Sequence, residues 1–563
     1  MGLAGVVQLG RAGALRLHDS TANSGRAGAV ECVLDGWIAN GDASVLAHEW
    51  AREGDALLEH LRGDFALLLW DHKRGRGILA RDQLGGGSLH YRLRGRELVF
   101  ASEVHGVLGL LPTRPAHDRV ALSHWVAGRD VRGGLTFFEG VRALLPGHLI
   151  GIGDGRAVVR RWWAPRYAPP AQVSRRDAVD SIRERLDTAV LRATAGRSAA
   201  VLMSGGLDST GVAAIAARNG GATAYSAVFP ETPTVDESAL IDVTASALGI
   251  ACVREPIGVQ SMLAAAAAFP AEWRLPLRPQ NLYAWLPLLR RAVEDGATAI
   301  FDGEGGDLLF TARRELLADR LLSLRPRSAV RLARGLPGRP PGGTRFLLRE
   351  YAVGGALPPA WHASAIARRR AQAQLPPWLR TAEARDLVAR GDEWTWKRID
   401  GPRWWARIVD SLGTGLQAVG IRDHVRRRAA MAGLEARSPF FDVDLVELVL
   451  RLPPELGFDG RFNRPLQRDA MFGLLPDEVR LRPGKSYFDE LFQRSLGVHD
   501  LEAVRRLLGA PDAEIGTVVD LAVVRKEIVE TDPARHPSGS KYWANSAWRL
   551  ATAECWLRHE RDV

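Results

Sequence analysis

Ala199-Ala200-Val201-Leu202-Met203-Ser204-Gly205-Gly206-Leu207-Asp208-Ser209 is the stretch from which the fold can be read. The apolar run Ala199–Met203 is short and reads as a buried strand. Helical spacing begins at Asp208 and runs to Arg218, where Gly220-Gly221 ends it. Between the two, a pair of glycines lets the backbone approach an oxyanion closely. The helix N-terminus adds unpaired N–H groups and a partial positive charge. A pyrophosphate group suits such a turn. No Gly-Lys-Ser or Gly-Lys-Thr follows, so this is not a Walker A loop and γ-phosphoryl transfer is not implied.

Outward from this turn the pattern repeats. Asp177–Thr194 reads as an amphipathic helix ahead of it. Strands over Thr223–Phe229, Ala251–Arg254 and Thr298–Phe301 then alternate with helices over Asp236–Leu248 and Leu282–Glu294. Strands alternating with helices predict a parallel, doubly wound α/β sheet. The strand ending at Phe301 leads into Asp302-Gly303-Glu304-Gly305-Gly306-Asp307. Ligands of such sheets bind at the carboxyl ends of strands, so Asp208 and Asp307 are expected to face each other. Two carboxylates plus phosphate oxygens are a coordination set that Mg²⁺ accepts.

Residues before about Trp163 are β-rich, with short runs at Leu3–Leu9, Ala29–Leu34, Phe65–Trp70, Gly77–Ala80 and Glu97–Ala101. Val45–Arg62 has helical spacing. Pro165, Pro169 and Pro170 mark a linker around Tyr167–Val173. After Phe310 come Arg-rich helices, broken around Leu336–Gly343 and continuing to about Arg403. Helical segments follow.

The 563 residues suit roughly two or three domains. The net charge of +10 is mostly arginine. It raises the question of a nucleic-acid partner, but no RNA-binding module or sulfur-transfer cysteine pair accompanies it. Cys32, Cys252 and Cys555 are far apart and form no Cys-x-x-Cys pair, which fits a reducing cytosol. The longest alanine-rich run, Ala264–Ala268, is too short to span a membrane. The expectation is a cytoplasmic protein with no membrane and no nucleic-acid partner.

The order of the motifs resembles the asparagine synthetase family. Leu61-Arg62-Gly63-Asp64-Phe65-Ala66, Trp70-Asp71, Ala80-Arg81-Asp82-Gln83-Leu84-Gly85, Phe100-Ala101-Ser102-Glu103 and Leu145-Pro146-Gly147-His148 resemble the glutaminase half. The Ser204–Ser209 and Gly303–Asp307 loops, Glu435-Ala436-Arg437-Ser438-Pro439-Phe440-Phe441-Asp442 and Arg482-Pro483-Gly484-Lys485 resemble the synthetase half. The resemblance implies an α+β glutaminase-like domain of the Ntn-hydrolase type over 1–166. An ATP-pyrophosphatase domain would follow over 174–563, with a helical insertion at about 311–403 and a helical C-terminal part. It further implies ATP and Mg²⁺ as cofactors and an AMP-forming carbon–nitrogen ligase. The ATP site would comprise Leu202, Ser204, Gly205, Gly206, Asp208, Ser209, Val228 and Gly303. Asp208 and Asp307 would hold the metal. Glu304 or Glu435 would act as base, and Lys485 as the cation that stabilises developing charge.

The chain departs from that family in two places. Glutamine-dependent members carry a cysteine directly after the initiator Met, as nucleophile. Here Gly2 and Leu3 stand there, and Asp35-Gly36 replaces the usual Asn-Gly turn. The first domain is therefore expected to be an inactive remnant. After Asp307, the run Leu308-Leu309-Phe310-Thr311-Ala312-Arg313 leaves the family pattern, and the distance to Glu435 is long. Relatives without the cysteine use an amine already present in the substrate, as in β-lactam synthetases and lasso peptide cyclases. The first group has a tyrosine where this chain has Glu304. The insertion and the run Leu481–Phe488 are most similar to the lasso cyclases. That resemblance implies a leader-cleaved core peptide as substrate, with a leader peptidase and a leader-binding protein as further partners. The alternative is an amide ligase of a small molecule, β-lactam synthetase-like or ammonia-dependent. On the peptide reading, Arg313, Arg314 and Arg320, with Trp394, Trp396, Trp404 and Trp405, are expected to hold the peptide.

Overall fold

The computed structural model describes residues 2–10, 13–18, 22–129, 131–195, 198–337, 343–390, 392–413 and 420–563, without the side chains of 362, 363, 365, 366 and 392–394. The N-terminal part is two antiparallel sheets packed face to face, one of five strands and one of six. The Gly63–Asp71 strand shows why its run reads as unbroken apolar sequence. Phe65, Leu67 and Leu69 pack on Ala43, Leu46 and Ala47 of an outer helix. Ala66, Leu68 and Trp70 point the other way, onto Leu3, Val7, Leu98 and Phe100 of the facing sheet. Alternate residues of a strand face opposite sides, so a strand covered on both sides alternates nothing.

The expected helix over Val45–Arg62 is split. Asp42 caps an α-helix over Ala43–Glu53 by accepting from the Ser44 and Val45 N–H groups. Gly54, at φ +64°, ends it, and a 3₁₀ turn over Gly54–His60 completes the segment. Glycine takes this positive φ without the Cβ penalty other residues meet.

The second part is the doubly wound parallel sheet expected from the alternation of strands and helices. Its order is Ala251–Pro256, Ala222–Val228, Ala199–Leu202, Ala299–Phe301, Glu435–Arg437. Every neighbouring pair is parallel. The chain moves outward from Ala199–Leu202 to one side, then returns to place Ala299–Phe301 on the other. This topological switch opens a crevice at the carboxyl ends of those two strands. The Arg175–Thr194 and Leu207–Arg218 helices cover one face through Ile182, Leu186, Val212 and Ile215. The Leu282–Glu294 helix covers the other through Leu288, Leu289 and Ala292.

Helices between Leu316 and Gly413 extend the first of these cores. Trp404 and Trp405 are buried there with Leu317, Leu332 and Phe310. A third core surrounds the Ser540–Asp562 helix, whose Trp543, Trp548 and Trp556 meet Trp125, Phe137 and Trp273. No helix among the described residues is long and apolar enough to cross a membrane.

Candidate active site

The Ser204–Leu207 turn lies at the carboxyl end of the central strand, with Gly206 as the N-cap of the Leu207–Arg218 helix. Ser204 and Ser209 hold the turn shut. The Ser204 N–H donates to Ser209 Oγ at 3.1 Å and the Gly206 N–H donates to Ser204 Oγ at 3.2 Å. The Gly205 N–H donates to the Glu237 carboxylate at 2.9 Å, and Arg482 pairs with the same carboxylate. An anion thus already sits on this turn, in keeping with its dipole.

The acidic loop packs directly against this turn. A Cβ on Gly303 would stand 2.5 Å from the Ser209 nitrogen, and one on Gly306 would overlap the Asp208 carboxylate. Only glycine permits that approach. The consequence is that Asp208 and Asp307 are brought together. Arg464 Nη1 lies 2.6 Å from Asp208 Oδ2 and 2.9 Å from Asp307 Oδ1. Gln467 Nε2 donates to Asp208 Oδ1 at 2.7 Å, and Lys485 Nζ donates to Asp307 Oδ2 at 3.0 Å. Burial raises the Asp208 carboxyl despite Arg464. At Asp307 burial acts in the same direction, but Arg464 and Lys485 outweigh it and the carboxyl titrates low. Two carboxylates that share one cation have the spacing and charge for a divalent ion completed by phosphate oxygens. Among the described residues no cluster of three metal-ligating side chains exists, so a metal here needs those phosphates.

Glu304 lies near Asp302, Asp208, Arg428 and Lys485. Burial pushes it up to about 7, and the neighbouring Asp302 carboxylate adds to the shift against Arg428 and Lys485. Asp302 is fixed by the Ser438 hydroxyl at 2.8 Å, the Glu304 N–H at 3.1 Å and Arg428 at 3.4 Å. Lys485 is lowered by burial but raised more by Asp307, and it stays charged at neutral pH.

A cavity of about 650 Å³ joins these groups. It is lined by Leu202, Ser204, Gly205, Gly206, Asp208, Ser209, Gly303, Glu304, Asp307 and Lys485. Its far end is walled by Trp125 and Arg129 of the N-terminal part, by Arg278 and Gln280, and by Trp548 and Arg549 of the last helix. A neighbouring cavity of about 420 Å³ shares Asn545 and Arg549 with it and reaches Gln374, Pro376 and Trp378.

Three expectations are corrected. Glu435 opens the edge strand, opposite Ala299, at the amino end of the sheet. It pairs with Arg437 at 2.8 Å, and the Arg437 guanidinium lies over Trp37; Glu435 does not line the cavity. Val228 does not line it either, because alternation along the strand turns Ala227 and Phe229 inward instead. The insertion's arginines and tryptophans do not line this cavity. Arg314 donates to the Tyr351 hydroxyl, Arg320 pairs with Glu455, Arg313 is desolvated, and Trp396, Trp404 and Trp405 are buried. The Trp394 side chain lies outside the described residues.

Arg464, Gln467, Arg428 and Glu237 were not found by motif. Each meets its partner only through the fold, and Asn463-Arg464-Pro465 carries no spacing that signals a ligand. At the other end of the chain, a side chain on Gly2 would overlap the Asp35 carboxylate, which also accepts from the Ser102 hydroxyl. A side chain at that position would have to displace Asp35 and Ser102.

Residues 181–558 match the asparagine synthase family, and residues 33–163 match the glutamine amidotransferase domain family. A putative asparagine synthetase of Mycobacterium bovis is 26% identical over 538 residues, covering 92% of this chain and 79% of that protein. Asparagine synthetase 3 of Bacillus subtilis, glutamine-hydrolysing, is 23% identical over 477 residues, 79% of this chain and 70% of the other. Amidase chry2 of Gibberella zeae is 29% identical over 310 residues, 51% of this chain; the match spans only 45% of that protein's length.

Proposed function

Because the chain belongs to the asparagine synthase family, whose members are ATP-dependent, AMP-forming carbon–nitrogen ligases, we propose that it is a lasso peptide cyclase. Its substrate would be a leader-cleaved core peptide carrying an Asp or Glu side chain and a free N-terminal amine. In the first step a side-chain carboxylate oxygen attacks the α-phosphorus of ATP. The bond to the bridging oxygen breaks, and pyrophosphate leaves with that electron pair. The Ser204–Ser209 turn would receive the pyrophosphate, which would displace Glu237 from the Gly205 N–H and Ser204 Oγ from the Gly206 N–H. Mg²⁺, held by Asp208 and Asp307, would offset phosphate charge. In the second step the peptide's amine attacks the acyl carbon, AMP leaves, and an isopeptide bond closes the ring.

An ammonium has no lone pair, so the amine must lose a proton. Glu304, at about 7, accepts it near neutral pH. Lys485 remains positive and faces the charge that develops on the adenylate. Glu435 has no part in this scheme.

The observation that carries the peptide reading is the second cavity. A free amino acid needs one small pocket, whereas this site has a second cavity of about 420 Å³ beside it, with Asn545 and Arg549 lining both. Filled Gly2 space supports an amine from the substrate rather than ammonia from glutamine.

The test is incubation with MgATP and synthetic peptides bearing a free N-terminal amine and an internal Asp or Glu, read by mass spectrometry. Loss of one water with stoichiometric AMP is expected. AMP formation only with free amino acids would replace this reading with the small-molecule ligase, β-lactam synthetase-like or ammonia-dependent.

A further inference from the structure

We infer that Arg464 is the resting occupant of the divalent-cation position, and that its guanidinium must leave before metal can enter. This rests on the reading of Asp208 and Asp307 as the metal-holding pair.

A single nitrogen, Nη1, lies within hydrogen-bond distance of both carboxylates, at 2.6 Å from one and 2.9 Å from the other. With Lys485 Nζ at 3.0 Å from Asp307, two positive groups meet two negative ones. The pair is neutralised from within the protein. Arg464 is itself buried, and its backbone sits in the left-handed region at φ +54°, immediately before Pro465. The main chain is therefore held, while the side chain keeps a flexible stem. A bare divalent ion would have to strand that guanidinium in a buried site, which is costly.

A nucleotide changes the balance. Arg464, Arg468 and Arg482 all line the same cavity as the Ser204–Ser209 turn. Phosphates bound on that turn give the guanidinium a new anion, and guanidinium pairs with phosphate in a planar, bidentate fashion. Asp208 and Asp307 are then free for the metal. Metal entry becomes conditional on nucleotide, which keeps the site from being filled by a cation alone.

The experiment uses Mn²⁺ followed by electron paramagnetic resonance, with no nucleotide present, so activity is not the readout. The wild-type chain is expected to show no tight site. Arg464→Met is expected to bind Mn²⁺ more tightly by about 5- to 150-fold, the usual span of coupling between groups. Adding Asp307→Asn to that variant should abolish the gain. Thermal unfolding would check that each variant folds. If Arg464→Met does not fold, the wild type alone decides. Tight Mn²⁺ binding that is lost in Asp307→Asn overturns the inference, as does a folded Arg464→Met with no gain. Calorimetry with α,β-methylene-ATP and Mg²⁺ separates the two readings. Absence of nucleotide binding sinks the proposed function, while the Mn²⁺ result still judges Arg464.

Discussion

Asp302 and Glu304 are two residues apart on one loop, yet only Glu304 is placed to exchange a proton near neutrality. Both line the cavity, but Asp302 is held by Ser438, Arg428 and the Glu304 N–H. Burial raises Glu304 to about 7. A base works only when deprotonated, so the rate of amide formation should rise with pH through about 7 and level off above it. Glu304→Gln should abolish that limb and slow amide formation by about 100-fold or more, with adenylation less affected. Rapid-quench measurement of both steps across pH checks this. Asp208→Asn and Asp307→Asn should each cut pyrophosphate release by about 100-fold or more while leaving the fold intact, since a metal supplies several kcal/mol of charge stabilisation. Near-normal release with ordinary Mg²⁺ dependence would remove the pair from the mechanism. At this scale the sequence revealed the residues that sit on loops directly after strands. It did not reveal Arg464, which reaches Asp208 across 256 positions of chain. Glu435 was misread because its motif neighbours Ser438, which does reach the site, while two residues of strand carry Glu435 to the far end.

Among the elements, the closest packing is between the two loops. Gly303→Ala would place a methyl group against backbone atoms of Asp208 and Ser209, which cannot swing aside. Overpacking of this kind costs about 1–3 kcal/mol, so the variant should melt earlier and bind nucleotide more weakly. Differential scanning fluorimetry with and without α,β-methylene-ATP measures both effects. The inserted helices should behave differently. Trp404→Ala removes a side chain only 4% exposed and should cost about 3–5 kcal/mol of stability. KM values should not change in whatever protein remains folded. A selective rise in KM for peptide would restore the idea that this region reads the substrate. The parallel sheet was legible because its strands are short, apolar and separated by well-punctuated helices. The edge strands Asn23–Ala27 and Arg156–Arg161 were not, because their side chains are largely exposed and polar. The segment Val45–Arg62 kept helical spacing past Gly54, and only the backbone reveals the break.

Across the whole molecule, one set of arginine–carboxylate pairs is largely buried at a seam. Glu103 is buried between Arg426 and Arg427, Arg81 meets Asp423, Arg422 meets Asp64, and Arg62 meets Asp444. These pairs join the N-terminal sheets to the synthetase part. Burial alone would raise Glu103, but its two arginines hold it well below the usual carboxylate range. Glu103→Ala leaves both guanidiniums facing each other in a buried seam and should cost about 3–5 kcal/mol, seen as a lowered melting temperature. Gly2→Cys should not restore glutamate release from glutamine, because Asp35 and Ser102 fill the space a thiol needs. Release above background in that variant would show the first domain to be repairable. Net charge could be read from composition; that these arginines pair across a seam between two parts could not.

One contact sets a timetable. The Trp125 indole donates to the Arg549 carbonyl oxygen at 3.1 Å, across 424 positions of chain, and both residues wall the same cavity. On a ribosome the first of these emerges long before the second. The pyrophosphate turn and the acidic loop can form in between, but the far wall waits for the Ser540–Asp562 helix to dock. The turn and the acidic loop are therefore synthesised well before the wall that closes the cavity. Translation order itself delays the site until its last wall has arrived.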